Sequence, residues 1–482
     1  MSLKNQCQLI TYPDSLGKNL EEMHWVLLKY FKKAIGGVHI LPFYPSSADR
    51  GFSPITYDKV DSKFGTWKDV ENIGLDFDLV VDFMVNHISQ KSEYFQDYLE
   101  KGENSEYGDM FLNLKKLSPE GKISQDDLQK VYTRKPRPPY FEFERKDGQK
   151  ERVWCTFDYE QIDVDINSPV TKEIFRHFLI YLAGRNTKLI RMDAFAYVTK
   201  KLGTNCFFLE PNVWEVLDWL NKYVAPFGVE ILPEIHEHYT IQQKIAEKGY
   251  RVYDFALPML CLQAIFDKDS KNLKNWLKIC PRKQITTLDT HDGIGVVDVA
   301  GLMSQEEIDR TQENLYSVGG NINKLYKNNP EYENLDIYQI NCTYYSAVGE
   351  NDDAYILART VQLFTPGIPQ IYYVGLFAGK NDFELLEKTK VGRNINRHYY
   401  TLEEIEQETQ RPVVRRLLKL MEFRNNCDAF DGELQVLDSE SSILNLVWSH
   451  NQSTAQAWID LDSYESKIEY TNSQGETISF IP

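Results

Sequence analysis

Asp78-Leu79-Val80-Val81-Asp82-Phe83 is a short, mostly apolar run that leads straight into Met84-Val85-Asn86-His87. A run of this kind buries both of its faces, as a strand does in a parallel sheet covered by helices. Similar runs stand before it at Gln8-Leu9-Ile10-Thr11-Tyr12 and Gly37-Val38-His39-Ile40-Leu41-Pro42. After it come Lys188-Leu189-Ile190-Arg191-Met192-Asp193, Val229-Glu230-Ile231-Leu232-Pro233-Glu234, Ile285-Thr286-Thr287-Leu288-Asp289 and Ile368-Pro369-Gln370-Ile371-Tyr372-Tyr373, with a weaker sixth strand at Val252-Tyr253-Asp254-Phe255. Helical patterns fill the gaps at Asn19 to Phe31, Val170 to Ala183, Asn212 to Val224 and Asp353 to Phe364. Strands and helices alternating at this spacing predict βαβ units closing into a (β/α)8 barrel, an α/β fold.

Two stretches interrupt the rhythm. Residues 88–167 are polar, with the basic run Tyr132-Thr133-Arg134-Lys135-Pro136-Arg137-Pro138-Pro139, and are too long for a bare loop. Residues 295–352 form a second insertion, a polar helix followed by a loop. The expected division is a barrel over 1–87, 168–294 and 353–430, inserted domains over 88–167 and 295–352, and a C-terminal domain over 431–482. That last segment alternates apolar and polar residues, as in Ser442-Ile443-Leu444-Asn445-Leu446-Val447-Trp448, which predicts antiparallel β structure.

Composition narrows the function. Of 482 residues, 54 are basic and 71 acidic, a formal charge of −17 that repels nucleic acid and anionic lipid. No apolar run reaches the roughly 18 residues of a membrane span, and Met1-Ser2-Leu3-Lys4-Asn5-Gln6-Cys7 has no apolar signal core, so a cytoplasmic protein is expected. The seven cysteines contain no Cys-x-x-Cys pair, which predicts buried thiols rather than disulfides or a zinc site. Aromatic residues make up 13%, a supply that suits sugar rings or merely reflects coding bias.

The acids stand where chemistry is done. Catalytic groups of such barrels lie at the C-terminal ends of strands, where the connecting loops converge. Here those ends carry Asn86-His87, Arg191 with Asp193, Glu234 with His236, and His291-Asp292. Any one of these is usually a helix cap, a core histidine or an ion pair. Four in chain order at four strand ends are not. Cleavage of a glycosidic bond uses such a set: one carboxylate attacks the anomeric carbon, a second protonates the leaving oxygen, and a third holds hydroxyls. Arg191 beside Asp193 would keep a nucleophile ionised.

These four segments, Asp82 to His87, Arg191-Met192-Asp193-Ala194, Glu234-Ile235-His236 and Thr290-His291-Asp292, resemble the signatures of glycoside hydrolase family 13, the α-amylase family. Within it the chain is similar to the sucrose phosphorylase subgroup through Ala48-Asp49-Arg50-Gly51-Phe52, Thr287 to Gly295, Pro366 to Gly375 and Gly392 to Tyr400. The resemblance implies Asp193 as nucleophile, Glu234 as acid and then base, and Asp292 as transition-state stabiliser, with the first two carboxyls about 5–5.5 Å apart. It further implies that Asp49, Arg397, His87 and His291 bind glucose hydroxyls, that Phe52 and Phe157 stack on the ring, and that Tyr197 and His236 meet phosphate. Arg134, Lys135 and Arg137 are candidates for one wall of the phosphate site, or else a solvated loop. Asp336, Tyr338 and Gln339 resemble an acceptor loop that swings between fructose-binding and phosphate-binding positions. Sucrose, inorganic phosphate, glucose 1-phosphate and fructose are then the expected partners. No cofactor, metal, nucleic acid or membrane is expected, and the protein is a monomer or homodimer. A phosphorylase of sucrose 6′-phosphate, a hydrolase or transglucosidase, and a non-catalytic barrel stand as alternatives.

Overall fold

The computed structural model describes residues 3–133, 135, 137–320, 339–471 and 475–482; the side chain of Asp49 is outside this set. Eight parallel strands occur in chain order: β1 (Gln8–Thr11), β2 (Gly37–Ile40), β3 (Asp78–Met84), β4 (Thr187–Asp193), β5 (Glu230–Pro233), β6 (Val252–Asp254), β7 (Gln284–Thr286) and β8 (Ile368–Tyr372). Helices separate them, so the fold class is (β/α)8, as expected. The chain divides into two compact units, residues 40–235 and, among described residues, 3–39 with 236–320 and 339–482.

In the first unit β3, β4 and β5 lie side by side and parallel. The helix Pro169–Ala183 starts where Ser168 accepts the Val170 N–H, with proline at its first position, where no N–H is missed. Phe175, Phe178, Leu179 and Leu182 then recur at helical spacing and are buried. Residues 88–167 carry a helix, Glu93–Lys101, and a hairpin pairing Tyr140–Glu144 with Lys150–Trp154. Leu112, Leu114, Val131, Trp154 and Cys206 pack there as a core.

In the second unit the order is β6-β7-β8-β1-β2. Its C-terminal residues form a five-stranded antiparallel sheet: β9 (Glu433–Leu437), β10 (Ile443–His450), β11 (Ser453–Asp460), β12 (Ser466–Thr471) and β13 (Thr477–Phe480). The segment 295–352 contains the helix Gln305–Ser317, opened by a Ser304/Glu307 capping box. Several expected strands stop one to three residues short of their patterns. β7 ends at Thr286, although Leu288 beyond it is wholly buried; Asp289, next in the chain, pairs with Arg359 at 2.9 Å. The helix from Asn19 is α only over Leu20–Val26 and continues to Phe31 as a wider π turn. All seven cysteines are free and buried, and burial pushes those at 7, 261, 280 and 342 up to about 12. No helix among the described residues is long and apolar enough to cross a membrane.

Asp254 closes β6 and is wholly buried. The Trp276 indole N–H lies 3.1 and 3.0 Å from its two oxygens, and the Leu257 amide donates at 3.0 Å. Burial outweighs these bonds and, with a smaller push from Asp298, raises its pKa from 3.8 to about 6. The folded protein therefore keeps a proton that the unfolded chain has released. Stability contributed by this group falls as pH climbs from 3.8 through about 6 and is level above that. Between pH 4 and pH 7 the parent's unfolding free energy should lose ~2–3 kcal/mol more than that of Asp254→Asn. Urea titrations check this, and parallel pH profiles for the two proteins would refute it.

Candidate active site

The register of β3 against β4 sets Asp82 opposite Arg191 and Met84 opposite Asp193. Arg191 and Asp193 are two residues apart on a strand, so their side chains leave the same face. Arg191 Nη1 donates to Asp82 and, at 2.9 Å, to Asp193 Oδ1. Its Nη2 stands 3.4 Å from Glu234 Oε1. One guanidinium thus faces three carboxylates. Their exposure separates their roles: the Asp82 side chain is 0% exposed, a buried counter-ion, whereas Asp193 at 14% and Glu234 at 11% are open to a ligand.

Glu234 is fixed from both ends of that triad. Its own amide donates to the Met192 carbonyl at 3.0 Å, which continues the pairing of β4 with β5. Its Oε2 accepts the Ala194 N–H at 3.0 Å. Ala194 holds φ 54°, a left-handed conformation that costs a non-glycine residue roughly 1–2 kcal/mol. This turn aims the amide that follows Asp193 at Glu234. The two carboxyls therefore share a guanidinium and are tied by one backbone amide.

Around them the first unit gathers Phe52, His87, Phe157 and Tyr197. Asp49–Gly51 is a tight turn in which Gly51 has φ +104° and a side chain there would strike the Pro42 carbonyl at 2.4 Å, so only glycine fits. The turn delivers Phe52, whose ring lies 5.9 Å from the Arg191 guanidinium. Both His87 nitrogens meet protein atoms: Nε2 donates to the Phe52 carbonyl at 2.9 Å, and Nδ1 faces Asn86 Nδ2 at 3.4 Å. A sugar hydroxyl at His87 has to compete with these. The Phe157 ring sits edge-on to His87 at 5.6 Å and to Tyr197 at 5.1 Å. Arg137, read from sequence as an anion ligand, donates to the carbonyls of Pro138 and Phe157 at 2.8 Å and to that of Cys155 at 3.3 Å, and covers the Phe141 ring at 4.2 Å. In this arrangement it staples its own segment, and Lys135 beside it is half-buried.

The second unit holds two further groups. Asp292 Oδ1 lies 3.2 Å from Arg393 Nη1, and its Oδ2 lies 3.6 Å from His291 Nε2. Arg397, buried, donates through Nε to the His291 carbonyl at 3.0 Å and covers Tyr12 at 5.7 Å. His236 stacks on Phe255 at 3.8 Å, receives the Gln339 amide at Nε2 (3.1 Å), and turns Nδ1 toward Asp298 Oδ2 at 3.6 Å. Gln339 and His236, predicted separately, are thus in contact. The Asp49 side chain, Arg134, Asp336 and Tyr338 lie outside the described residues.

Sequence reasoning passed over Asp82, Arg393 and Asp298. Asp82 and Arg393 lay inside the quoted motifs, but nothing local says that Asp82 pairs with Arg191 or that Arg393 stands by Asp292.

Residues 26–375 match the family model described as alpha amylase, catalytic domain. The chain is 51% identical to a sucrose phosphorylase of Streptococcus mutans, over 100% of both chains. It is 46% identical to a sucrose 6(F)-phosphate phosphorylase of Thermoanaerobacterium thermosaccharolyticum, again over 100% of both. The crystal structure of sucrose 6F-phosphate phosphorylase from Thermoanaerobacter thermosaccharolyticum matches with a TM-score of 0.96 at 46% identity, over 100% of this chain and 98% of that one. A family model spanning most of the chain, and full-length relatives at this identity, lead to one conclusion: the chain belongs to the α-amylase family.

Proposed function

We propose that the protein is a retaining phosphorylase that converts sucrose and inorganic phosphate to α-glucose 1-phosphate and fructose. The observation that carries this reading is the pair Asp193 and Glu234, both reachable and both held on Arg191. Asp193 attacks C1 of the glucosyl unit, and the bond from C1 to the fructose oxygen breaks. Glu234 gives that oxygen its proton. A phosphate oxygen then attacks C1 and releases Asp193 as the carboxylate, while Glu234 takes up a proton from the phosphate. Two inversions leave the α configuration.

Arg191 suits this exchange of roles. While Asp193 is charged, its negative field favours the proton on Glu234; once Asp193 is an ester, the guanidinium faces one charge fewer and favours Glu234 as a base. The family resemblance supports Asp292 as stabiliser, with Asp49, His87, His291 and Arg397 on glucose hydroxyls and Phe52 and Phe157 on the ring. It likewise supports Tyr197, His236, Arg134 and Arg137 as phosphate ligands and Asp336, Tyr338 and Gln339 as the acceptor loop. The 51% identical relative, a sucrose phosphorylase, favours unphosphorylated sucrose over the 6′-phosphate.

Incubation with sucrose, with and without phosphate, tests the reading. Glucose 1-phosphate should appear with fructose in equal amounts, and without phosphate fructose release should slow by at least about ten-fold. Equal glucose release in both conditions would identify a hydrolase. A rate on sucrose 6′-phosphate above that on sucrose would move the assignment to the phosphorylated substrate.

A further inference from the structure

Lys200 belongs to none of the roles above, yet its side chain is only 1% exposed and it pairs with Asp163, which is 0% exposed. Its ammonium stands 2.7 Å from Asp163 Oδ2, donates to Asn86 Oδ1 at 2.5 Å, and donates to the Tyr197 carbonyl. Three donors meet three acceptors. Asp163 is held on both oxygens, since Oδ1 accepts the Thr156 amide at 2.9 Å and Oδ2 accepts the Thr156 hydroxyl at 2.6 Å. A buried charge pair is expensive to desolvate, and hydrogen bonds to both partners, as here, offset that cost and fix the geometry.

The three acceptors come from three separate places in the first unit. Asn86 follows β3, and its Nδ2 faces His87 Nδ1. Tyr197 ends the short turn whose first carbonyl is that of Ala194, the residue after the nucleophile. Asp163 lies on the strand Gln161–Asp163, paired with His87–Ser89. The geometry points to Lys200 as a positioning residue: one fixed positive charge that locks the His87 loop, the turn behind Asp193 and the inserted segment into a single frame. It touches no reacting atom. Its effect is to hold Ala194 and His87 where Glu234 and the glucosyl ring need them, and small displacements of such groups cost large factors in rate.

The test rests on the sucrose reading only for its assay. Lys200→Ala keeps the β-carbon and removes the equivalent of one n-propylammonium. Its kcat/KM on sucrose and phosphate should fall by about a hundred-fold or more. Adding n-propylammonium chloride should recover about ten-fold of the loss, while propan-1-ol, which fills the same volume without charge, should recover none. A variant within three-fold of the parent, or equal rescue by the alcohol, overturns the proposal. Should Lys200→Ala fail to fold, Asn86→Ala removes one acceptor and leaves the charges paired. Its kcat/KM should drop by about ten-fold, and a parental rate overturns the proposal. A parent that makes no glucose 1-phosphate sinks the sucrose reading instead, and the rescue is then scored on hydrolysis of α-glucosyl fluoride.

Discussion

Asp193→Ala should lower kcat/KM on sucrose by about a hundred-thousand-fold, with little change in the urea midpoint. The proposed covalent route loses its nucleophile, and of the two carboxylates that share Arg191 with it Asp82 is 0% exposed and Glu234 is engaged by the Ala194 amide. Stability should hold because the change removes one of three negative groups around a single guanidinium and exposes no apolar core. The variant also makes a positive prediction. With α-glucosyl fluoride and sodium azide it should form β-glucosyl azide, because azide attacks C1 from the face Asp193 has vacated and fluoride leaves from the other. Product stereochemistry by NMR is the check. Fructose release from sucrose at the parental rate would end the case for a glucosyl-aspartate.

Arg191→Met should damage fold and rate together. It strands Asp82, fully buried, together with Asp193 and Glu234. Breaking a buried pair by removing one partner costs about 3–5 kcal/mol, measurable as a lower urea midpoint. Activity should fall by about a thousand-fold, because the same guanidinium touches both the proposed nucleophile and the proposed acid. Adding Asp82→Asn to this variant removes one stranded charge and should recover part of the stability while leaving activity low. A single variant with the parental midpoint would show that the shared guanidinium is not what holds the three acids.

Much of the fold was legible because its signals are local. The helix Asn212–Val224 runs between the residues that its periodicity predicts, and β3 occupies the run around Leu79-Val80-Val81. Burial on two faces, an N-cap serine and a proline at the first helical position act over a few residues, so one stretch of chain suffices to read them. The Leu288 overrun shows the limit: a buried apolar residue looks like strand from its own pattern, yet β7 stops two residues before it.

The sequence alone determined that acids and imidazoles follow the strands, since strand ends are read from hydrophobic pattern; Asp193 closes β4, Glu234 stands one residue past β5 and Asp292 six past β7. Only the tertiary structure decided which charge answers which. Asp82 and Arg191 are 109 residues apart and meet because β3 and β4 pair in one register; Lys200 and Asn86 are 114 apart and bond directly, with Asp163 of the inserted segment on the same ammonium. The carbonyls that Arg137 meets, up to 20 residues away at Phe157, are likewise set by packing and not by its basic run. Apolar burial depends on a residue's own neighbours along the chain, whereas a Coulombic partner is set by distance in space, and that distance exists only once the strands are aligned.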